Sequence, residues 1–139
     1  PSTCSRSSDL KAMAPVTTLY AGLLGLLYLG LAYLVVRGRQ RHRINLGVGP
    51  QGEIERQVRV HANFVEYAPM FLILLLLAEL AAAPPWLLHG TGAGFVFARL
   101  AHAQGLTSTA GVSRGRFLGT ALTWVLILVL SIYLIFKSF

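Results

Sequence analysis

Acidic residues are scarce in this sequence: 5 of its 139 residues are Asp or Glu, against 12 Lys and Arg. Charged residues together make up 12% of the chain, hydrophobic residues 55%, and the mean hydropathy is +0.63, a profile that excludes an ordinary soluble domain. Cysteine is scarcer still. The single Cys4 sits in a polar N-terminal stretch, so no internal disulfide can form and no thiol is placed for catalysis. The four histidines, His42, His61, His89 and His102, lack the spacing of metal ligands, and no metal site is expected. The net charge of +7 raises the possibility of nucleic acid. In so apolar a chain, however, basic residues mark the cytoplasmic side of a membrane protein, and no nucleic-acid partner is expected.

What the sequence does have is long apolar runs. Residues 1–14, PSTCSRSSDLKAMA, read as a disordered polar tail, with Met13 a plausible natural start. Val16 to Val36 then carries no charge, is rich in Leu, Gly and Tyr, and stops at Arg37, which predicts a first spanning helix over about 16–37. A cleavable signal peptide is disfavoured, because the basic residues follow the apolar run and no small-residue cleavage site precedes them. Arg37 to Gly52 reads as a basic loop whose Gly-Val-Gly-Pro-Gln-Gly end cannot continue a helix. Glu53 and Glu55 suit the N-terminus of a second helix, over about 53–82, since the helix dipole favours acids there. That helix is longer than a hydrocarbon core, so its first turns should stand in the interface.

Pro84-Pro85 makes a tight stop, with Trp86 as an interface anchor. A third helix over about 86–106 is the least hydrophobic, and Gly90, Gly92 and Gly94 are expected to bring neighbouring backbones close. A loop precedes a fourth helix over about 116–137. The expected fold is therefore an all-α membrane protein, a four-transmembrane-helix bundle in a single domain from residue 15 to 139. The 1–2 and 3–4 loop side holds Arg37, Arg39, Arg41, Arg43, Arg56, Arg59, Arg114 and Arg116, the other only Arg6, Lys11 and Lys137, so the first should be cytoplasmic.

The chemistry is concentrated in Glu55 to Pro69. At 100° per residue, Arg56, Arg59, Asn63, Glu66, Tyr67 and Met70 fall within an arc of about 100° on a helical wheel. Glu66 lies at or inside the membrane boundary, where an unpaired carboxylate is costly, so it needs a partner. A self-contained network that merely fixes helix register is one reading. Against it, Arg59, Arg37, Arg99, Arg114 and Arg116 supply more cations than one acid can use at that level, and the excess implies an anionic ligand. His61 falls off the stripe and Glu79 lies at the far end of the second helix. Both read as structural or intersubunit contacts, and His89, Trp86, Trp124 and Tyr133 as packing or interface residues.

The run E-R-x-x-R-x-H-x-N-x-x-E-Y-x-P (Glu55 to Pro69) resembles the helix 2 signature of the MAPEG superfamily, the membrane-associated proteins in eicosanoid and glutathione metabolism. The resemblance extends over about residues 16–137. It takes in the basic end of helix 1, the short Pro-containing hairpin, the F-A-R-L-x-H-x-x-G stretch from Phe97 to Gly105 and the Arg at the start of helix 4. It implies a homotrimer of four-helix subunits in a bacterial inner membrane, binding glutathione at the cytoplasmic end of each subunit interface. By carry-over, Arg59 and Arg37 would hold glutathione carboxylates, and Asn63 and Glu66 the γ-glutamyl end. Tyr67 and His102 would be ligand contacts, and Arg114 or Arg116 would stabilise the thiolate. Arg99 reads as a snorkelling residue more than a site residue. Leu106 and Ala62 depart from the pattern of several family members, where Tyr and Arg stand, and the sequence resembles the short bacterial branch.

Two functions stay open on the sequence. One is a glutathione transferase or peroxidase acting on lipophilic electrophiles drawn from membrane lipid; the other is a non-catalytic, lipid-binding or scaffold member of the same fold. A transporter using Glu66 fits less well, since the charges gather at one end of the bundle.

Overall fold

A computed structural model describes residues 14–47, 49, 52–108 and 114–139, excepting the side chains of 106–108. The N-terminal tail, with Cys4 and Met13, lies outside these residues, as do most of the 3–4 loop and the side chain of Leu106. Four helices account for the fold: α1 (Pro15–His42), α2 (Glu53–Leu80), α3 (Pro85–Ser108) and α4 (Arg114–Lys137). No strand occurs among the described residues.

Local chemistry explains both ends of α1 and the turn from α2 to α3. Pro15 occupies the first turn of α1, where its missing N–H costs nothing. The next two backbone N–H groups, of Val16 and Thr17, donate to the two carboxylate oxygens of Glu79 at 2.8 and 2.7 Å. Glu79 thus caps α1 from the far end of α2, opposite the α1 dipole. This makes it a structural residue within the chain. It also sets α1 antiparallel to α2. At the other end, α1 runs on through Arg37, Arg39 and Arg41 to His42 instead of giving way to a loop at Arg37. Arginine and glutamine are good helix formers, and cations suit a helix C-terminus. The helix closes with Arg43 in the left-handed conformation (φ 55°), and the Ile44 N–H donates to the Arg39 carbonyl at 3.0 Å. His42 Nε2 then meets Glu53 at 3.0 Å, tying the end of α1 to the start of α2. Between α2 and α3, Ala82 takes a positive φ, the Ala83 N–H donates to the Ala78 carbonyl, and α3 starts on Pro85.

α1, α2 and α4 are long and apolar enough to cross a membrane by length and composition; α3 is the exception. α3 crosses in company. Its ends join the opposite ends of the bundle through α2 and α4, and one of its faces, with Leu87, Leu88, Thr91, Phe95, Ala98, Arg99 and His102, is buried. α2 and α3 each pack on all three other helices, whereas α1 and α4 barely meet. The core centres on Phe71 of α2 and Phe95 of α3, stacked at 3.9 Å and 8°, with Leu24, Leu75 and Leu130 fully buried around them.

The glycines behave differently from expectation. Gly92 receives the ring of Tyr20 and Gly94 packs on Leu126, but neither brings two backbones together, and Gly90 has no neighbour within 4 Å. The close backbone approach is made by Gly119 of α4, where an added Cβ would stand 2.6 Å from the Ala98 carbonyl oxygen and 2.9 Å from His102.

Because Glu79 satisfies two otherwise orphaned donors, Glu79→Ala should lower stability by about 1 kcal/mol, read as a lower melting midpoint in detergent. Glu79→Gln, which keeps one acceptor, should recover part of the loss.

Candidate functional site

At the arginine-rich end, α2, α3 and α4 diverge around a cleft of about 470 Å³. α2 supplies Glu55, Arg56, Arg59, Asn63 and Glu66 along one wall, α3 supplies His102, and α4 supplies Arg116. Three arginines therefore face a shared space with two carboxylates. Neither acid forms an ion pair: among the described residues the one ion pair is His42–Glu53. The partner that Glu66 requires is not found among the described residues, and Glu66 stands exposed at the cleft.

Beneath the cleft lies Arg99, 2% exposed. This overturns its reading as a snorkelling residue. One Nη donates to Asn63 Oδ1 at 2.6 Å, the other to the Gly119 carbonyl at 3.0 Å and to the Thr123 hydroxyl. Its guanidinium lies 5.5 Å from the Tyr67 ring centroid and 5.6 Å from that of Phe95. Hydrogen bonds to the two Nη groups and the ring faces replace most of its water, while the buried Nε has no hydrogen-bond partner among the described residues. Arginine only donates, so the Asn63 oxygen is the atom that faces it. The Asn63 amide nitrogen is thereby the group left to serve a ligand, as a donor.

His102 is likewise buried, with Nδ1 3.2 Å from the Thr120 hydroxyl and 3.4 Å from the Arg116 carbonyl. The carbonyl can only accept, so that contact belongs to the Nδ1–H tautomer, which leaves Nε2 as an acceptor. His102 thus holds the first turn of α4, from which the Arg116 side chain reaches the cleft.

Not all the expected residues gather there. Arg114 is exposed in the first turn of α4 and does not line the cleft, so of the two candidates the geometry brings only Arg116 to it. Arg37 is exposed near the end of α1, and no residue of α1 lines the cleft. Tyr67 is also outside it. Its hydroxyl accepts from Trp124 Nε1 at 3.0 Å, and it lines a second, more apolar groove of about 490 Å³ with Met70, Trp124, Ile127 and Leu128. Glu66 borders both spaces.

The sequence reading named the arginines at the start of α4 but missed what the interior of that helix contributes. Gly119, Thr120 and Thr123 lie within an otherwise apolar helix, and a small residue with hydroxyls at helical spacing there was the available signal. His61 packs against Tyr28 with ring centroids 5.0 Å apart, and His89 Nδ1 lies 3.2 Å from the Tyr20 hydroxyl, both structural placements.

The sequence model of the MAPEG family matches residues 17–136. The chain belongs to the MAPEG family. Within it, the protein is similar to the inner membrane protein YecN of Escherichia coli strain K12, with 34% identity over 115 residues, covering 83% of this chain and 86% of the relative. YecN of strain O6:H1 matches to the same extent. This MAPEG protein is accordingly an integral membrane protein, and the cleft lies within the matched region.

Removing the buried guanidinium would leave the Asn63 Oδ1 without its donor and take the charged donor from Thr123 and the Gly119 carbonyl, which keep their bond to each other at 2.8 Å. Arg99→Lys, which keeps the charge but cannot fork to three acceptors, should cost about 2–4 kcal/mol, measured as a fall in the melting midpoint with the helical signal at low temperature retained.

Proposed function

We propose that this protein, in a bacterial inner membrane as the name of its relative states for that protein, binds glutathione or a related thiol in the α2–α3–α4 cleft and directs the sulfur at lipophilic electrophiles from the bilayer. The observation that carries this reading is the meeting of two unlike spaces at Glu66: a charged cleft, and an apolar groove beside it. Glutathione has two carboxylates, an ammonium and a thiol. Arg56 and Arg59 suit a carboxylate through bidentate pairing, Glu66 suits the ammonium, and the Asn63 amide nitrogen suits a carboxylate or peptide carbonyl oxygen.

Arg116 is the thiolate partner in this scheme. A free thiol titrates near 8.5, and a guanidinium beside the sulfur stabilises the anion, so more nucleophile is present at neutral pH. The thiolate attacks an electrophilic carbon, the carbon–sulfur bond forms, and the displaced group leaves with the electron pair. With a hydroperoxide, the thiolate attacks the terminal oxygen instead, giving a sulfenic acid and an alcohol. A second thiol then converts the sulfenic acid to a disulfide and water. The apolar groove with Tyr67, Met70 and Trp124 holds the lipophilic part.

A homotrimer completes the site. Glu66 is exposed and has no ion-pair partner among the described residues, and Arg37 is exposed on the helix that does not reach the cleft; a neighbouring subunit's Arg37 would supply the missing cation. Sedimentation in detergent should then give three chains per particle.

Isothermal titration with glutathione tests the binding claim, and absence of heat at millimolar ligand refutes it. Arg59→Ala should weaken binding by roughly 10–100-fold, the loss of one charge-assisted pair. Arg116→Ala should hold binding within a few-fold while conjugation falls about 100-fold or more, and the thiolate absorbance of the complex should appear only at higher pH. Arg114→Ala should do neither. Binding with no turnover on any electrophile or hydroperoxide would favour the lipid-binding alternative, for which the apolar groove alone is sufficient.

A further inference from the structure

Apart from Arg37, offered above to a neighbour's cleft, the arginines that α1 carries beyond its apolar run line no part of the cleft. Arg37, Arg39, Arg41 and Arg43 fall within seven residues at the charged end. The acids of the described residues are committed elsewhere: Glu53 to His42, Glu55 and Glu66 to the cleft, and Glu79 to the opposite end of α1. Arg41 stands close enough to act on Glu53, whereas Arg39 and Arg43, at the level where the apolar run stops, form no ion pair among the described residues.

Arg37, Arg41 and Arg43 are exposed, whereas Arg39 is half-buried. The left-handed Arg43 turns the chain back over the last turn of α1, and Arg39 Nη1 donates to the Asn45 carbonyl at 3.2 Å at the surface, which ties the side chain to the loop. The result is a concave pocket of about 520 Å³ bounded by Arg39, Gln40, Arg43, Ile44 and Asn45, with Val36 at its apolar edge. Leu46, 90% exposed, follows directly in the loop.

We propose that this pocket is a binding site for an anionic phospholipid, with Arg39 and Arg43 pairing with headgroup phosphate oxygens and Val36, Ile44 and Leu46 beside the upper acyl carbons. A guanidinium matches phosphate geometry, and basic clusters at the end of a spanning helix attract anionic lipid. The apolar edge is what selects a lipid over free phosphate. The site is separate from the thiol cleft: the two share no lining residue, and Arg37, the α1 residue offered to a neighbour's cleft, is not part of this pocket.

Native mass spectrometry of the full-length protein, released from micelles doped with phosphatidylglycerol or phosphatidylcholine of the same acyl chains, tests the proposal. The unmodified protein should retain phosphatidylglycerol at least ten-fold more than phosphatidylcholine. Arg39→Gln combined with Arg43→Gln should remove most of that preference. Lys137→Gln, an equal kind of charge loss at the other end, should leave it intact. Equal retention of the two lipids by the unmodified protein overturns the proposal without reference to any variant. So does a Lys137→Gln effect as large as that of the pair, which would mean net charge and no site. Displacement of the lipid by millimolar inorganic phosphate would show a phosphate site instead of a lipid site, and overturns it as well.

Discussion

A guanidinium taken out of water must recover its hydration from the protein, and Arg99 recovers it at both Nη groups, though not at Nε, by drawing on three helices at once. α2 offers Asn63, α4 offers Thr123 and the Gly119 carbonyl, and the rings of Tyr67 and Phe95 cover its faces. That requirement fixes the spacing of α2, α3 and α4 more tightly than leucine packing can, because in lipid there is no hydrophobic force to press helices together. Gly119 is part of the same constraint. A side chain there would push α4 off α3 and pull the Gly119 carbonyl away from the arginine.

The cleft follows from this junction. Arg99 occupies the Asn63 oxygen and so decides which end of the amide a ligand meets. His102, one turn along α3 from Arg99, contacts the first turn of α4 and so sets where Arg116 stands. A buried cation thus organises a set of exposed ones. The scarcity of acids gives the same picture from the opposite side: each described carboxylate has a distinct place, and the surplus of arginine is gathered at one end, where membrane potential, lipid headgroups and anionic ligands are all available to balance it.

Much of the fold was legible in the sequence because the membrane constrains it so strongly. A chain in lipid must satisfy its backbone internally, so an uncharged run such as Val16 to Val36 has one structural meaning. The ends of helices were harder to read. The apolar run of α1 stops at Arg37 but the helix does not, since hydropathy reports the lipid boundary while helix propensity reports the backbone. The stripe of α2 was legible for a similar reason, as one helix carries it and its 3.6-residue period can be counted. Of its partners, His102 and Arg116 were reached through the family resemblance, while the place of Arg99 and of the α4 hydroxyls was not legible, because they meet the stripe at sequence distances that no period connects.

The sequence by itself determined the class of the molecule, the antiparallel order of its helices, the charged end and the α2 residues Arg59, Asn63 and Glu66 that face a common side. These follow from local composition and periodicity, and each is a property of one segment. Only the tertiary structure decided that Arg99 is buried instead of snorkelling, that Arg116 and not Arg114 reaches the cleft, that Tyr67 belongs to the apolar groove, and that Glu79 caps α1. Each of these depends on which helix faces which across a contact a few ångströms wide. An arginine, a tyrosine or a glutamate reads the same in a sequence whether water, lipid or another helix surrounds it.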